Sequence, residues 1–333
     1  MTVAMSVLGV GVYLPLTVSV PEWAAAHGAD VDVEDFKGWA RACHAGPDDH
    51  PSTMGARALS TALDRAGVAA DDLRFVIYSG ASRDYVPSWS VSSEIMNLCG
   101  ASDACLGLDM TAGCLATVAA LDLAQGWLAV HGGGHAAVVA AERWSQTIDY
   151  ADPGTVNLWG YGDSAGAIVV GTGVPQPSRI DFLGAEFRSA AGNNGHVFIP
   201  YGGTRAPVAP SGADPHARQV SDRPKQQVLD SYRRGYHDAY EALRKRFDFE
   251  PTRLLCNQTS PSMVEMITAA VGMEGRAVVT GHDYGHLGGP DVIVGLDTLL
   301  DGPDEVVVMG ASAAYGFGMA MFTRTSTPDP ASP

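Results

Sequence analysis

The chain is short of basic charge. Its 333 residues carry 21 Lys and Arg against 37 Asp and Glu, a formal net charge of -16. Nucleic acid and anionic membrane both need a basic footprint, so the balance argues against either partner. Cysteine is sparse too. Cys43, Cys99, Cys105, Cys114 and Cys256 form no CxxC pair and are odd in number, which speaks against a zinc knuckle or a secreted disulfide framework and for a reducing, cytoplasmic setting. No apolar run reaches the roughly 20 residues that span a bilayer. The apolar start MTVAMSVLGVGVYLPLTVSV lacks the basic opening of a signal peptide, and acidic residues (Asp30, Asp32, Glu34, Asp35) follow it. Its GVGVY lacks the third glycine and the later acid of a dinucleotide fingerprint, and reads as a first strand.

What is present describes a packed globule. Hydrophobic residues make up 46% and charged residues 17%, and the length suits two domains of ordinary size or one fused pair. Buried strand-like runs (SVLGVGVYL, RFVIYSG, LGLDM, AAVVAAE, AGAIVVG) alternate with helix-like ones (TMGARALSTALDRAG, CLATVAALDLAQGWLAVHGG), a layered α/β pattern. After Gly171–Gly173 and Pro175–Pro177 and a loop-rich stretch, the theme returns: helix QQVLDSYRRGYHDAYEALRKRF, strand RLLCNQ, helix SPSMVEMITAAVG, strand GRAVVTGH, helix PDVIVGLDTLL, and strands DEVVVMGASAA and GFGMAMFTR. Two similar halves follow, residues 1–172 and 173–324, with a polar, proline-rich tail at 325–333 expected to be disordered.

Cys114 stands between a strand and a helix in LDMTAGCLATVAALDLA. A thiol at a helix start meets free N–H groups and the positive end of the helix dipole, which favour thiolate. The same N–H groups can hold the oxyanion formed when sulfur attacks a thioester.

The surrounding motifs resemble the ketosynthase III group of the thiolase-like superfamily. LDMTAGCLA at 108–116 stands for the FDxxxACaG of that group, WGYGDSAGAIVVG at 159–171 for its FGDGAGA, and MGASAAYGFGMAM at 309–321 for its closing glycine-rich hairpin. The resemblance implies an αβαβα sandwich of two pseudo-repeated halves and a homodimer. It also implies an acyl group delivered by acyl-CoA or acyl carrier protein to Cys114, with coenzyme A thioester as substrate and no permanently bound cofactor. By the same match the backbone N–H groups of Cys114 and Ala313 form the oxyanion hole, Asp163 supports the fold, and His196 lies in the segment that lines the acyl pocket.

Two departures carry information. Members of the group have a histidine in HQAN and an asparagine in GNTSAAS; here NQTS places Asn257, and GHLGGPD places His286, in exchanged positions. Asp291, five residues beyond His286, adds a carboxylate that can fix the imidazole tautomer and make its other nitrogen a better base. It also suits a helix N-cap after Pro290. Stabilising an enolate needs donors, whereas activating a hydroxyl needs a base. Cys114, His286 and Asp291 therefore read as a triad for acyl transfer to a small-molecule hydroxyl, with Asn257 as an auxiliary donor. This altered pattern resembles ketosynthase III-like acyltransferases of antibiotic and polyketide pathways, such as cervimycin-type malonyltransferases and daunorubicin-type starter-unit proteins. The alternative is decarboxylative Claisen condensation with a malonyl carrier protein. His282 and His286, four apart, have no third metal ligand nearby, so no metal is expected.

Overall fold

The computed structural model describes residues 4–29, 36–86, 88–174, 180–248, 250–300, 302 and 306–324. The acidic stretch 30–35 and the tail 325–333 lie outside the described residues.

The first half runs β1 (Met5–Tyr13), β2 (Thr17–Ser19), α1 (Val20–Ala26), β3 (Arg41–Cys43), α2 (Pro51–Ala66), β4 (Leu73–Tyr78), α3 (Val91–Cys99), β5 (Leu106–Asp109), α4 (Ala116–Val130), β6 (Gly134–Glu142) and β7 (Ser164–Thr172). The second runs β8 (Ile180–Ser189), β9 (Val197–Phe198), β10 (Gln219–Val220), α5 (Lys225–Arg246), β11 (Arg253–Cys256), α6 (Pro261–Ala270), α7 (Gly281–Tyr284), α8 (Pro290–Asp297), β12 (Val306–Ala313) and β13 (Gly316–Arg324). The Ala/Val-rich strands are buried along most of their length, β7 and β13 throughout, as strands covered on both faces must be.

Nine strands pair in the order β11-β12-β13-β8-β1-β7-β6-β4-β5. The antiparallel middle is flanked by parallel pairs, β11 with β12 on one side and β6-β4-β5 on the other. The two halves of the sheet meet at a three-residue antiparallel joint, Met5–Val7 of β1 against Ile180–Phe182 of β8. Helices α2 and α3 cover the outer face of the first half, and α5 and α6 that of the second. Between the halves lie α4 and α8, each in contact with strands of both. The architecture is the expected αβαβα sandwich. Its central core joins Phe75, Ile77, Leu121 and Ile168 to Leu255, Met309 and Phe322; each such fully buried side chain contributes roughly 1.5–3 kcal/mol.

The glycines of GVGVY have a packing role. A Cβ on Gly9 or Gly11 would stand 2.2 Å from the backbone oxygens of Ala62 and Ala58 of α2, so only glycine lets that helix lie this close to β1. The segment Gly113–Val130 is long and apolar enough to cross a membrane by length and composition, yet here it is the middle-layer helix between the two halves of the sheet.

Two elements differ from the sequence reading. GRAVVTGH forms no strand and makes a single bridge, Ala277 to Leu254. The ten-residue β8 carries Asp181, Glu186 and Arg188 and is broken by Gly184 at φ +150, beside an irregularity in its pairing with β13; charge and a bulge hide its alternation.

Candidate active site

Strand β5 ends at Asp109, whose carboxylate accepts the N–H groups of Val91 and Ser92 at the start of α3 and an Arg83 N–H at 2.7 Å. The chain then turns through Gly113, at φ +56, into a 3-10 turn (Gly113–Leu115) that leads into α4. Cys114 lies within that turn and is partly exposed, so its sulfur reaches a cavity while its backbone stands at a helix start with unsatisfied N–H groups. The β12-β13 hairpin closes over it: a Cβ on Gly113 would lie 2.9 Å from the Cβ of Ala313.

His286 comes from the other half of the chain. Its N–H donates to Gly160 O and its carbonyl accepts from Gly162 N, both at 2.8 Å, and the Tyr161 ring packs edge-on to the imidazole with centroids 4.5 Å apart. WGYG thus clamps the histidine, while Asp163 in the same motif is a buried hub accepting from Ala45 N, Ser145 N and Ser145 Oγ.

The imidazole connects two groups. Nε2 lies 3.7 Å from Cys114 Sγ, and Nδ1 lies 2.5 Å from Asp291 Oδ2. Asp291 is fully buried and also accepts from Gln258 N and Leu287 N, each at 2.7 Å. It is not the helix N-cap, which is Gly289; it occupies the second position of α8. Burial opposes charge on His286, but the Asp291 charge and hydrogen bond, together with Cys114, push it up to about 10. The buried carboxylate and the nearby sulfur both favour the protonated ring.

Asn257 departs from the sequence expectation. It is 1% exposed and outside the cavity lining; Nδ2 donates to Gly288 O at 3.1 Å and Oδ1 accepts from Ser312 N at 2.8 Å. The amide ties the loop before α8 to the β12 end. His282 packs on the Trp39 ring rather than towards His286.

The cavity that Cys114 and His286 line has a volume of about 1770 Å³. Ala313 and His196 are in its wall; His196 Nδ1 is 3.2 Å from Ser221 Oγ, and burial lowers its pKa. The lining is electropositive in an acidic protein: seven Lys or Arg (Lys37, Arg83, Arg143, Arg218, Arg223, Lys225, Arg233) against one carboxylate, Asp84. Sequence reading did not find Arg218, Trp144 or Tyr161 as cavity residues. Arg218 stacks on the Trp144 ring at 3.8 Å and donates from Nε to Thr147 Oγ1 at 3.0 Å. Glu142, fully buried beneath the cavity floor, accepts from Ala81 N, Ser82 N and Ser82 Oγ, and burial pushes it up to about 7.

A family model described as 3-oxoacyl-[acyl-carrier-protein] synthase III matches residues 108–191. The beta-ketoacyl-[acyl-carrier-protein] synthase III of Chlamydia pneumoniae is 31% identical over 166 residues, and that of Serratia proteamaculans 29% over 167. Each match takes in 50% of this chain and 48% or 51% of the relative, so the chain spans about half the length of the curated relatives it matches. The fold is similar over nearly its whole length to a single-site variant of Xanthomonas campestris OleA (TM-score 0.82, 17% identity, 96% of this chain and 98% of that one). It is equally close to the 3-oxoacyl-(acyl carrier protein) synthase III of Xanthomonas oryzae pv. oryzae (0.81, 18%, 96% and 98%). The fold is therefore that of these solved structures, and the sequence likeness to the synthase III proteins covers about half of the chain.

Proposed function

We propose that the chain is an acyltransferase of specialised metabolism that moves an acyl group from a coenzyme A or carrier-protein thioester through Cys114 to a hydroxyl. The observation that carries this reading is the continuous relay from Cys114 Sγ through His286 to the buried Asp291. It is a nucleophile, a proton carrier and an anchor for the carrier's tautomer.

In the first half-reaction the Cys114 thiolate attacks the thioester carbonyl, with the backbone N–H groups of Cys114 and Ala313 as oxyanion donors. Collapse breaks the bond to the coenzyme A sulfur, which leaves as free thiol with the proton from His286 Nε2. Acylation removes the sulfur charge and hydrogen bond, both of which raise His286. Having given its Nε2 proton to the departing thiol, the imidazole is neutral when a base is needed. In the second half the acceptor oxygen attacks the acyl-cysteine, its proton passes to His286 Nε2, and the thiolate re-forms beside an imidazolium. The sum is thioester plus alcohol giving ester plus thiol.

A condensing reading follows from the names of the relatives. It needs two side-chain donors on an enolate, and Asn257, bonded to Gly288 O and Ser312 N, stands outside the cavity lining. Two further expectations belong here. The cationic cavity lining suits the phosphates of a coenzyme A or carrier-protein donor. The edge strand β5, with Leu106 and Leu108 exposed, suits pairing with a second copy in a homodimer, since an uncovered edge invites a partner.

Intact-protein mass spectrometry tests the reading. After incubation with acetyl-, malonyl- and methylmalonyl-CoA, an adduct that needs Cys114 and keeps the whole acyl mass is expected. Carbon dioxide release coupled to a β-keto product would move the assignment to condensation.

A further inference from the structure

The turn between β12 and β13 brings a hydroxyl to the nucleophile. Tyr315, in the stretch GASAAYGFG, lines the cavity and is half-buried. Its phenol oxygen stands 3.6 Å from the point that a Cβ on Gly113 would occupy, beside the Ala313 Cβ at 2.9 Å from the same point. Gly113 is bonded to Cys114, so the hydroxyl, the Cys114 N–H and the end of β12 gather around one residue. The turn is held from outside: the Tyr315 carbonyl accepts from Ala190 N at 2.8 Å, and the Ala314 carbonyl from Asn193 Nδ2 at 3.2 Å. The neighbouring phenol of Tyr236 is committed to the fold, donating to Ser312 Oγ at 2.9 Å. The Tyr315 hydroxyl has no hydrogen-bond partner among the described residues. Burial, and after it the Cys114 charge, raise its pKa above the ordinary 10.0, so the phenol keeps its proton and can donate it to a hydrogen bond. A donor without a partner, half out of water and fixed beside a nucleophile, is placed for an oxygen that the substrate brings.

We propose that the Tyr315 hydroxyl is a third oxyanion donor, giving a hydrogen bond to the carbonyl oxygen of the thioester that Cys114 attacks. This inference rests on the acyl-transfer reading above and adds a side chain to its machinery. As sulfur bonds to the carbonyl carbon, the carbon–oxygen π pair moves onto oxygen, and the phenol O–H meets that charge without surrendering its proton. The pair returns when the bond to the coenzyme A sulfur breaks. The same cycle repeats when the acceptor oxygen attacks the acyl-cysteine and the bond to Cys114 Sγ breaks. A donor preset by the turn stabilises the charged intermediate more than the neutral carbonyl, so it speeds both halves.

The test is Tyr315→Phe, which removes only the oxygen. Two reactions of Cys114 are timed in the variant and in wild type: acylation by whichever of acetyl-, malonyl- and methylmalonyl-CoA reacts fastest with wild type, and alkylation by iodoacetamide. Alkylation reports the same thiolate, but the carbonyl of iodoacetamide gains no charge when sulfur displaces iodide. Acylation, and deacylation to water, should each slow about 100-fold in Tyr315→Phe, the lower end of the scale for removing one oxyanion donor, with alkylation within about threefold of wild type. Acylation that stays within about threefold of wild type would overturn the proposal while leaving acyl transfer standing. So would alkylation that slows as much as acylation, because the hydroxyl would then act on sulfur, and so would a loss confined to one half-reaction. If Cys114 of the wild type takes up no acyl group, the acyl-transfer reading falls. An acetyl-CoA analogue bearing a trifluoromethyl ketone in place of the thioester then decides Tyr315 separately, since addition of sulfur to that ketone also leaves a charged oxygen. Affinity about 100-fold weaker in Tyr315→Phe supports the assignment, and equal affinities refute it.

Discussion

Replacing Asp291 by Asn should separate the two half-reactions. The carboxylate accepts three hydrogen bonds, from His286 Nδ1 at 2.5 Å and from Gln258 N and Leu287 N at 2.7 Å. An amide has one oxygen for them. If that oxygen stays with Leu287, the amide nitrogen faces His286, and the imidazole must turn Nδ1 into an acceptor and carry its proton on Nε2. The Gln258 N–H is then unsatisfied, at about 1–3 kcal/mol. Asp291 is also the main influence lifting His286 from 6.5 to about 10, a preference for imidazolium on the order of 5 kcal/mol. Without it the pKa falls, since burial favours the neutral ring. Acylation should slow about tenfold for want of a counter-ion, whereas deacylation, which needs an unprotonated Nε2, should slow by about 10²–10⁴. Acyl-enzyme accumulates as a result. The assay is rapid-quench mass spectrometry of Cys114 during acyl-CoA turnover, with water as the acceptor hydroxyl, and coenzyme A release measured in parallel. Deacylation within about threefold of wild type, or equal losses in both halves, would refute the relay.

Asn257→Ala should cost about 1–3 kcal/mol by orphaning the buried Ser312 N–H, and slow acyl transfer less than His286→Ala does; the reverse ranking in a side-by-side turnover assay would restore Asn257 as a substrate donor. Gly113→Ala should lose about 1–2 kcal/mol from its φ of +56 alone and slow Cys114 acylation, because the new Cβ meets Ala313 at 2.9 Å; denaturant midpoints and acylation rates check both. Glu142 keeps its proton to about 7 in the folded protein against 4.5 unfolded, so its contribution is complete below about 4.5 and is lost as pH rises to about 7, by about 3 kcal/mol. Denaturant titrations across that window should show a decline that Glu142→Gln lacks, and identical slopes would contradict the assignment.

Much of this was legible in the sequence because it is local. A cysteine between a strand and a helix, and a histidine five residues before an aspartate beside Pro290, already specify a thiol at a helix start and a carboxylate within reach of an imidazole. The surroundings of Asn257 were not legible because its partners lie 31 and 55 residues away, the Gly288 carbonyl and the Ser312 N–H. Arg218 was invisible for a related reason. It sits in an irregular stretch rich in Gly and Pro, where no periodicity says which way a side chain points, and only the fold brings it to Trp144. Strand β8 was hidden by its charges and by Gly184.

The nucleophile and its proton carrier come from different halves, Cys114 ahead of α4 and His286 ahead of α8, and both helices lie in the layer that the two sheets enclose. A growing chain synthesised as far as Thr172 holds the thiol and part of the cavity wall but not His286. The thiol–imidazole contact can therefore form only once the chain has been synthesised past His286, and the proposed relay is a property of the finished fold alone.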